Sequence, residues 1–171
     1  MTTPYKIRTH LATDMETIVR RHGMLYSKEH NFDPHLAASV ASQVTTAFLA
    51  TYDATRERFW VAEAEQQDGT NTFIGCVFLA KDKTETEFPC AKLRLLLVEP
   101  AARGMGLGRE LIARCTEFAR EAGYARIRLW TNSGLGTARR LYEREGYKLL
   151  RSEEDDTFGI KLTAEFWEMV L

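Results

Sequence analysis

The stretch LLLVEPAARGMGLGRELI, residues 95–112, constrains the possible folds of this chain more than any other part of it. An apolar run passes through Pro100 into a glycine-rich segment and then into helical spacing, which predicts a buried strand, a loop and the start of a helix. The glycines let backbone N–H groups approach a ligand, while the helix dipole and Arg103 add positive potential. The stretch therefore predicts a site for a diphosphate, although such a turn can also serve packing alone. The loop consists of Arg103, Gly104, Met105, Gly106, Leu107 and Gly108.

The other patterns along the chain predict one α/β domain over residues 1–171. Alternation and β-rich runs predict strands at residues 5–11, 58–65, 72–80, 91–98, 125–131, 147–152 and 166–171. Apolar spacing predicts helices from Thr13 to about Glu29, from Asp33 and Pro34 through Phe48, over 111–122 and over 138–146. Thr13 and Glu16 have the spacing of a capping box, and Asp68-Gly69 suits the tight turn of a hairpin. The order β-α-α-β-β-β-α-β-α-β-β indicates a mixed sheet.

Composition and charge argue against several classes of function. The 171 residues include 23 basic and 24 acidic side chains, so no global field attracts a nucleic acid. The longest apolar run, residues 76–80, is too short for a membrane span, and we expect a cytoplasmic protein. Three cysteines without a CxxC pair argue against disulfides and against a structural metal site. Cys76 and Cys115 lie in apolar patterns and should be structural, whereas Cys90 should lie in a loop.

Two well-known phosphate loops do not fit the glycine-rich segment. Its spacing is G-x-G-x-G and not the G-x-G-x-x-G of dinucleotide folds, and no GK[ST] is nearby as in a P-loop. The segment instead resembles the R/Q-x-x-G-x-G/A pyrophosphate loop of the GCN5-related N-acetyltransferases, the GNAT superfamily. LWTNSGLGTARRLYEREGYKLL, residues 129–150, resembles a later part of the same family. A closer likeness, carried by HGMLYSKEH, AKLRLLLVEPAARGMGLG and LWTN, is to acetyltransferase domains fused to MarR-type regulators.

The resemblance implies an α/β fold with a mixed, mostly antiparallel central sheet and about four helices. It also implies acetyl-CoA as the cosubstrate, with its diphosphate on residues 103–108 and its pantetheine arm on the backbone of Leu96 and Val98, where two strands splay apart. Many members of the family have an asparagine where this chain has Leu135. Asn132, three residues earlier, is then the candidate for a cofactor contact, and its alternative role is to cap the turn before the short helix.

The resemblance gives the chemical role to Tyr142. A thiolate leaves a thioester more easily when a nearby phenol donates a proton to the sulfur. Without the resemblance, an aromatic residue beside Leu141 on a helix would be expected in the core. The attacking amine must lose a proton, and Glu29 and Glu99 are candidates for the base, although each can equally be a solvated surface carboxylate.

Residues for the acceptor are predicted on the first helix and on the strand before the loop. His22, Tyr26 and Glu29 share one helix face and can shape an acceptor pocket; alternatively, His22 and Tyr26 pack and Glu29 is exposed. Lys92 and Arg94 point to one face of an internal strand, so Arg94 pairs either with a carboxylate of the acceptor or with one of the protein. We expect direct acetyl transfer to a primary amine of a small, amino-acid-like molecule. The alternatives are a peptide or protein amine and a non-catalytic acyl-CoA-binding module, and the resemblance also allows a homodimer.

Overall fold

The computed structural model describes residues 5–44 and 50–171, which form one mixed sheet with helices on both faces. The strands are β1 (Tyr5–Thr9), β2 (Arg58–Glu65), β3 (Asn71–Lys81), β4 (Cys90–Val98), β5 (Arg126–Asn132), β6 (Lys148–Asp155) and β7 (Leu162–Val170). The helices are α1 (Asp14–His30), α2 (His35–Ser42), α3 (Leu107–Glu121) and α4 (Gly136–Arg144), with a short 3₁₀ turn at Pro100–Ala102. In this part of the chain the strand order is β1-β2-β3-β4-β5-β7-β6, and only β4 and β5 run parallel. The predicted fold class and element order are confirmed.

The hairpin of β2 and β3 follows from the chemistry of its turn. Gly69 has a φ of +79°, a conformation that glycine adopts without steric cost. The Asp68 carboxylate accepts hydrogen bonds from the backbone N–H and the hydroxyl of Thr70, at 2.9 and 2.6 Å. The strands on either side pair antiparallel, as the Asp68-Gly69 sequence predicts.

The start of α1 differs from the predicted capping box. Thr13 already has helical dihedral angles, and its side chain makes no capping hydrogen bond. The carboxylate of Asp14 instead accepts a hydrogen bond from the N–H of Leu11 at 2.6 Å and pairs with Arg8 at 2.8 Å. The prediction of a Thr13–Glu16 box is therefore wrong, because an acidic residue one position later caps the turn and neutralises a strand cation.

The second helix begins as the Asp33-Pro34 sequence predicts, one residue later than the proline itself. The Asp33 carboxylate accepts a hydrogen bond from the N–H of His35 at 2.9 Å and satisfies one of the free donors of the first turn. Val40 and Val44 are buried on the predicted face. Phe48, the last residue predicted for this face, lies outside the described residues.

The two faces of the sheet pack against different helices. Alternate residues of β3 separate the two halves of the core, with Val77 on the α3 side and Phe78 on the α1 and α2 side. On the α3 side the fully buried residues include Leu111 and Ile112. On the other side Phe78 stacks on Phe59 with ring centroids 4.9 Å apart. The edge between these layers, at the ends of β4 and β5, is where the cavities described below open.

All three cysteines are buried. Cys76 and Cys115 are structural, as predicted, and burial raises the pKa of both thiols. The loop prediction for Cys90 is wrong, because this residue begins β4 and pairs with Arg126 of β5. Burial raises the pKa of Cys90 to about 11. All three thiols therefore stay protonated at neutral pH, a poor state for a nucleophile.

Among the described helices, none is both long and apolar enough to cross a membrane.

Candidate active site

The central feature of the site is a gap between two strands that begin as neighbours. β4 and β5 pair in parallel only from Cys90 to Leu93. Beyond Leu93, β4 continues along β3, whereas the rest of β5, residues 130–132, pairs with β7. The strands therefore splay apart, and one edge of β4 at residues 94–98 lacks a strand partner in the described structure.

A bulge in β4 accompanies the splay. Two residues, Leu95 and Leu96, face the single residue Val77 across the β3–β4 ladder. Leu95 has a φ of +56°, a conformation that non-glycine residues rarely adopt. Such strain is typical of functional sites, and a bulge bends the strand that carries it. β3 also approaches closely here, since a Cβ on Gly75 would lie 2.7 Å from the carbonyl oxygen of Leu97.

The three glycines of the loop serve different purposes. Gly104 and Gly106 have φ values of +79° and +82°, and a Cβ added to either would meet no atom within 4 Å. Gly106 is also the N-cap of α3, whose first-turn N–H groups have no partner within the helix. A Cβ on Gly108 would instead lie 3.0 Å from the side chain of Leu141, so this glycine lets α3 pack on α4. Two glycines thus leave open space above a helix N-terminus, as an anion site requires.

Arg103 links the loop to α1. Its Nη2 donates a hydrogen bond to the Glu29 carboxylate at 2.9 Å, and its Nε donates to the carbonyl of Val98 at 3.4 Å. Both Arg103 and Glu29 border a slot of about 240 Å³ that runs between the end of β4 and α4. The slot is also lined by Leu96, Val98, Leu135, Ala138 and Leu141. Leu96 and Val98 of β4 and Arg103 of the loop therefore line one channel.

A second cavity, of about 720 Å³, lies on the other side of the gap between the strands. It is lined by residues of α1, α2, β4 to β7 and α4, including His22, Tyr26, Arg94, Asn132 and Tyr142. The slot and this cavity share Tyr26, Leu96, Leu135 and Ala138 in their walls. The slot and the cavity are therefore adjacent at the splay.

Tyr142 borders the large cavity close to this shared wall. The residue is 5% exposed, and its ring packs edge-on against Tyr147 with centroids 5.8 Å apart. Its hydroxyl makes no hydrogen bond to the described part of the chain. Burial raises its pKa, so the phenol carries its proton at neutral pH. Tyr142 thus belongs both to the core and to the cavity wall.

His22 and Tyr26 lie side by side on α1, with rings stacked at 6.0 Å. The Nδ1 of His22 lies 2.8 Å from the carbonyl oxygen of Ile18, and the ring also interacts with the backbone of Leu95. Burial lowers the pKa of His22 to about 4, which keeps the ring neutral, and raises that of Tyr26 to about 12. Both side chains pack, and both line the cavity, so the two alternatives from the sequence are compatible.

The two cations of β4 have different partners. Lys92 pairs with the buried carboxylate of Asp82 at 3.2 Å. Arg94 donates only to the side-chain oxygen of Gln43, at 3.3 Å, and has no carboxylate partner in the described structure. Lys92 therefore has an internal ion pair, whereas Arg94 has none within 4 Å among the described residues.

Asn132 caps a turn, as its alternative role requires. Its side-chain oxygen accepts a hydrogen bond from the N–H of Gly134 at 3.0 Å. The residue is 1% exposed, and its Nδ2 has no partner in the described structure. The side chain thus leaves one free donor in the wall of the large cavity.

Glu99 lies elsewhere. Its carboxylate is buried and binds the guanidinium of Arg21 through two hydrogen bonds, at 2.5 and 2.6 Å. It borders neither the slot nor the large cavity. The expectation of a solvated carboxylate at this position is wrong, because the C-terminal end of β4 is covered by α1.

Several cavity residues were missed from the sequence. Phe32, Trp130 and Phe158 form an aromatic wall, and Asp82 and Gln43 accept hydrogen bonds from the two cations of β4. Phe158 had a weak signal, a single aromatic residue within the polar sequence DDTFGIK. The others come from separate segments that only the fold brings together.

Comparison with known proteins agrees with this geometry. The model of the acetyltransferase (GNAT) family matches residues 19–147. This chain belongs to the GNAT family. Family membership implies acetyl-CoA as the cosubstrate, as predicted, and the residues of the slot fit such a ligand: an open glycine loop at a helix N-terminus and an unpaired strand edge.

Individual similarities to this GNAT chain are distant. A protein named IAA acetyltransferase from Azospirillum brasilense is 33% identical over 78 residues, which span 46% of this chain and 49% of that protein. The structure of yncA from Salmonella typhimurium, solved with its cofactor acetyl-CoA, aligns with a TM-score of 0.71 and 18% identity over 98% of this chain and 94% of that one. A GCN5-related N-acetyltransferase from Kribbella flavida aligns with a TM-score of 0.74 and 19% identity over 98% of each chain. These structures share the fold.

Proposed function

We propose that this GNAT protein is an N-acetyltransferase that moves the acetyl group of acetyl-CoA directly to the primary amine of a small molecule. The observation that carries the proposal is the wall shared by the slot and the large cavity, with Tyr26 and Leu96 on it. This arrangement lets a thioester in the slot meet an amine in the cavity. Proximity of this kind accounts for a large part of the rate in two-substrate reactions.

The slot divides naturally into subsites for acetyl-CoA. The diphosphate fits the loop of residues 103–108, where Arg103 adds charge and the first-turn N–H groups of α3 point outward. The backbone of Leu96 and Val98 lies on the free edge of β4 and can bind the amides of the pantetheine arm as an added strand would. The free Nδ2 of Asn132 is a further candidate donor, in the wall of the large cavity beside the slot.

Acetyl-CoA supplies the thioester, whose carbon–sulfur bond breaks as the amine nitrogen bonds to the acetyl carbon, giving an amide and free CoA. In this proposal Tyr142 donates its phenolic proton to the leaving sulfur, since burial keeps the phenol protonated. The amine gives up its proton to a base or to water. Glu29 stays the predicted candidate for the base, and its ion pair with Arg103 puts its carboxylate beside the loop.

The charge of the large cavity supports a small acceptor. Among the described residues that line it, Asp82 is the one carboxylate, and Lys92 already neutralises it. A basic peptide or a polyamine would find no acidic groove. The name of the Azospirillum relative, IAA acetyltransferase, is compatible with a small acceptor. A peptide amine and a non-catalytic acyl-CoA-binding module are the alternatives. The cytoplasmic location, the homodimer and the likeness to MarR-fused domains stay predictions.

An acceptor panel with acetyl-CoA, read by the release of free thiol, tests the proposal. In the parent protein we expect turnover with at least one small amine, and in Tyr142→Phe a kcat lower by about a hundredfold at an unchanged acetyl-CoA affinity. Tyr147→Phe is the matched control, because it removes a neighbouring buried hydroxyl that borders neither cavity. Tight acetyl-CoA binding without turnover on any amine would favour the binding module. If Tyr142→Phe and Tyr147→Phe have equal kcat, the role of Tyr142 is structural only.

A further inference from the structure

One cation in the wall of the large cavity forms no ion pair with the described residues of the protein. Among the described residues, four basic side chains that carry charge at neutral pH line it. Three of these have carboxylate partners: Lys92 with Asp82 at 3.2 Å, Arg128 with Glu168 at 2.8 Å and Arg151 with Glu153 at 2.7 Å. The fourth, Arg94, donates to the amide oxygen of Gln43 and is attracted at longer range by Asp82, whose carboxylate is already paired with Lys92. Residues 1–4 and 45–49, which the structure does not describe, contain no Asp or Glu. The excess charge of the cavity is therefore positive and centred on Arg94.

The surroundings of Arg94 favour an anion. The guanidinium is half-buried in the wall of the cavity, and burial lowers its pKa because the charged form loses hydration. A carboxylate in the cavity would restore the lost interactions, and the planar guanidinium can bind both of its oxygens at once. The hydrogen bond to Gln43, at 3.3 Å, is long and occupies a single N–H group.

An aromatic wall forms another part of the same cavity. Phe32 and Phe158 stack with centroids 5.3 Å apart, and Trp130 packs edge-on against Phe158 at 6.1 Å. Trp130 is 41% exposed, a high value for so large an apolar side chain, and it borders the cavity. Flat apolar groups pack well on exposed ring faces and edges of this kind.

We propose that the acceptor of this enzyme is an amine that carries both a carboxylate and an aromatic group, as an aromatic amino acid does. Arg94 binds the carboxylate, the wall of Phe32, Trp130 and Phe158 packs against the ring, and the amine faces the shared wall of the slot. The inference rests on the proposed function and specifies its substrate class. The products are the N-acetylated amino acid and free CoA, and the ammonium group releases its extra proton to solvent before attack.

Four acceptors test both recognition elements separately. Phenylalanine carries carboxylate and ring, phenethylamine the ring alone, alanine the carboxylate alone, and ethylamine neither. The measurement is kcat/KM for each from thiol release, with the KM for acetyl-CoA and the melting temperature of each variant. The variants are Arg94→Met, Arg94→Gln, Trp130→Ala and, as a control on the exposed face of α3, Arg120→Met.

We expect phenylalanine to be the best of the four. Arg94→Met and Arg94→Gln should lower kcat/KM for phenylalanine and alanine by about tenfold to a hundredfold, the range of a charge-assisted hydrogen bond, and spare the two simple amines. Trp130→Ala should lower kcat/KM for phenylalanine and phenethylamine by about threefold to tenfold. Arg120→Met should change none of these values.

Four results would overturn the inference, and they have different consequences for the proposed function. If ethylamine is acetylated as well as phenylalanine, or if the Arg94 variants affect all four acceptors alike, the substrate class is wrong but the enzyme stands. If none of the four reacts and a peptide amine does, the small-molecule acceptor falls as well. If acetyl-CoA releases no thiol in the presence of any amine tested, the proposed function is wrong, and so is the inference that rests on it.

Discussion

At the scale of single residues, the glycines of the loop illustrate how one residue type meets distinct requirements. A side chain at Gly104 or Gly106 would be strained because φ is positive, yet it would meet open space in the protein. A side chain at Gly108 would have an ordinary backbone and a close neighbour, Leu141. Substitutions at the first two positions therefore combine a conformational cost with obstruction of a ligand, and the two effects must be separated by experiment.

Gly69 provides the matched control for Gly106. It has nearly the same φ, +79° against +82°, and the same open space, but it lies in the β2–β3 turn. Gly69→Val and Gly106→Val should each lose about 1–2 kcal/mol of folding free energy, the cost of a left-handed residue. Only Gly106→Val should lose acetyl-CoA binding, because its side chain would fill the space above the helix N-terminus. Calorimetric titration with acetyl-CoA and urea unfolding of both variants check this. Equal affinity for acetyl-CoA in the two variants would mean that the diphosphate does not bind at this loop.

At the scale of elements, the splay of β4 from β5 determines where the ligands can meet. The sequence predicts a strand over 91–98 but not its bulge, because the run LLLV has no glycine or polar residue to mark a break in the ladder. Leu95 is held at positive φ by contacts that are distant in sequence. β7 likewise begins at Leu162, four residues before its predicted start. Its first residues include the polar Thr163 and Glu165, which do not predict a strand, but they pair with β6 on one side and β5 on the other. The strand propensity of a short segment does not predict which distant strands it will pair with.

The contact between α1 and the glycine loop is a second consequence of element packing. Glu29, at the end of α1, holds the Arg103 guanidinium at 2.9 Å, and the two side chains are partly exposed, so their pairing is weak. A diphosphate on the loop would compete with Glu29 for the same guanidinium. Glu29→Gln should therefore bind acetyl-CoA a few times more tightly, and its kcat should fall only if Glu29 is also the base that accepts the proton of the amine.

Steady-state kinetics and acetyl-CoA titration on Glu29→Gln measure both quantities, and Lys28→Gln, a charge change on the neighbouring exposed residue, is the control. A large fall in kcat at unchanged affinity would contradict the competition model and support Glu29 as the base that accepts the proton of the amine.

At the scale of the whole molecule, the two halves of the site differ in how far the sequence can predict them. The loop is contiguous, so residues 103–108 and the helix after them could be recognised directly. The large cavity is assembled from α1, α2, α4, four strands and the turn that holds Phe158. No local pattern joins Gln43 to Arg94 or Asp82 to Lys92. The same limit explains Glu99, whose partner Arg21 lies 78 residues away. Long-range pairing decides whether a charged residue faces water or protein.

Long-range burial also makes the stability of the folded chain depend on pH. Packing of α1 against the sheet buries His22 and lowers its pKa to about 4, chiefly because the charged ring would lose its hydration, against a usual value of about 6.5. At a pH between these two pKa values, His22 is protonated in the unfolded chain but stays neutral in the folded chain. The free energy of unfolding should therefore fall as the pH is lowered from about 6.5 to 4, by about 3 kcal/mol from this group, and this group should add nothing to the slope above pH 7.

Urea unfolding at a series of pH values, on the parent and on His22→Asn, isolates this contribution. Asparagine does not titrate, so the variant should show a shallower fall between pH 6.5 and 4, whatever its stability at neutral pH. The carboxylates that also titrate below pH 5 are common to both proteins and cancel in the difference. Parallel curves for the two proteins would mean that His22 takes up its proton as readily in the folded state as in the unfolded chain.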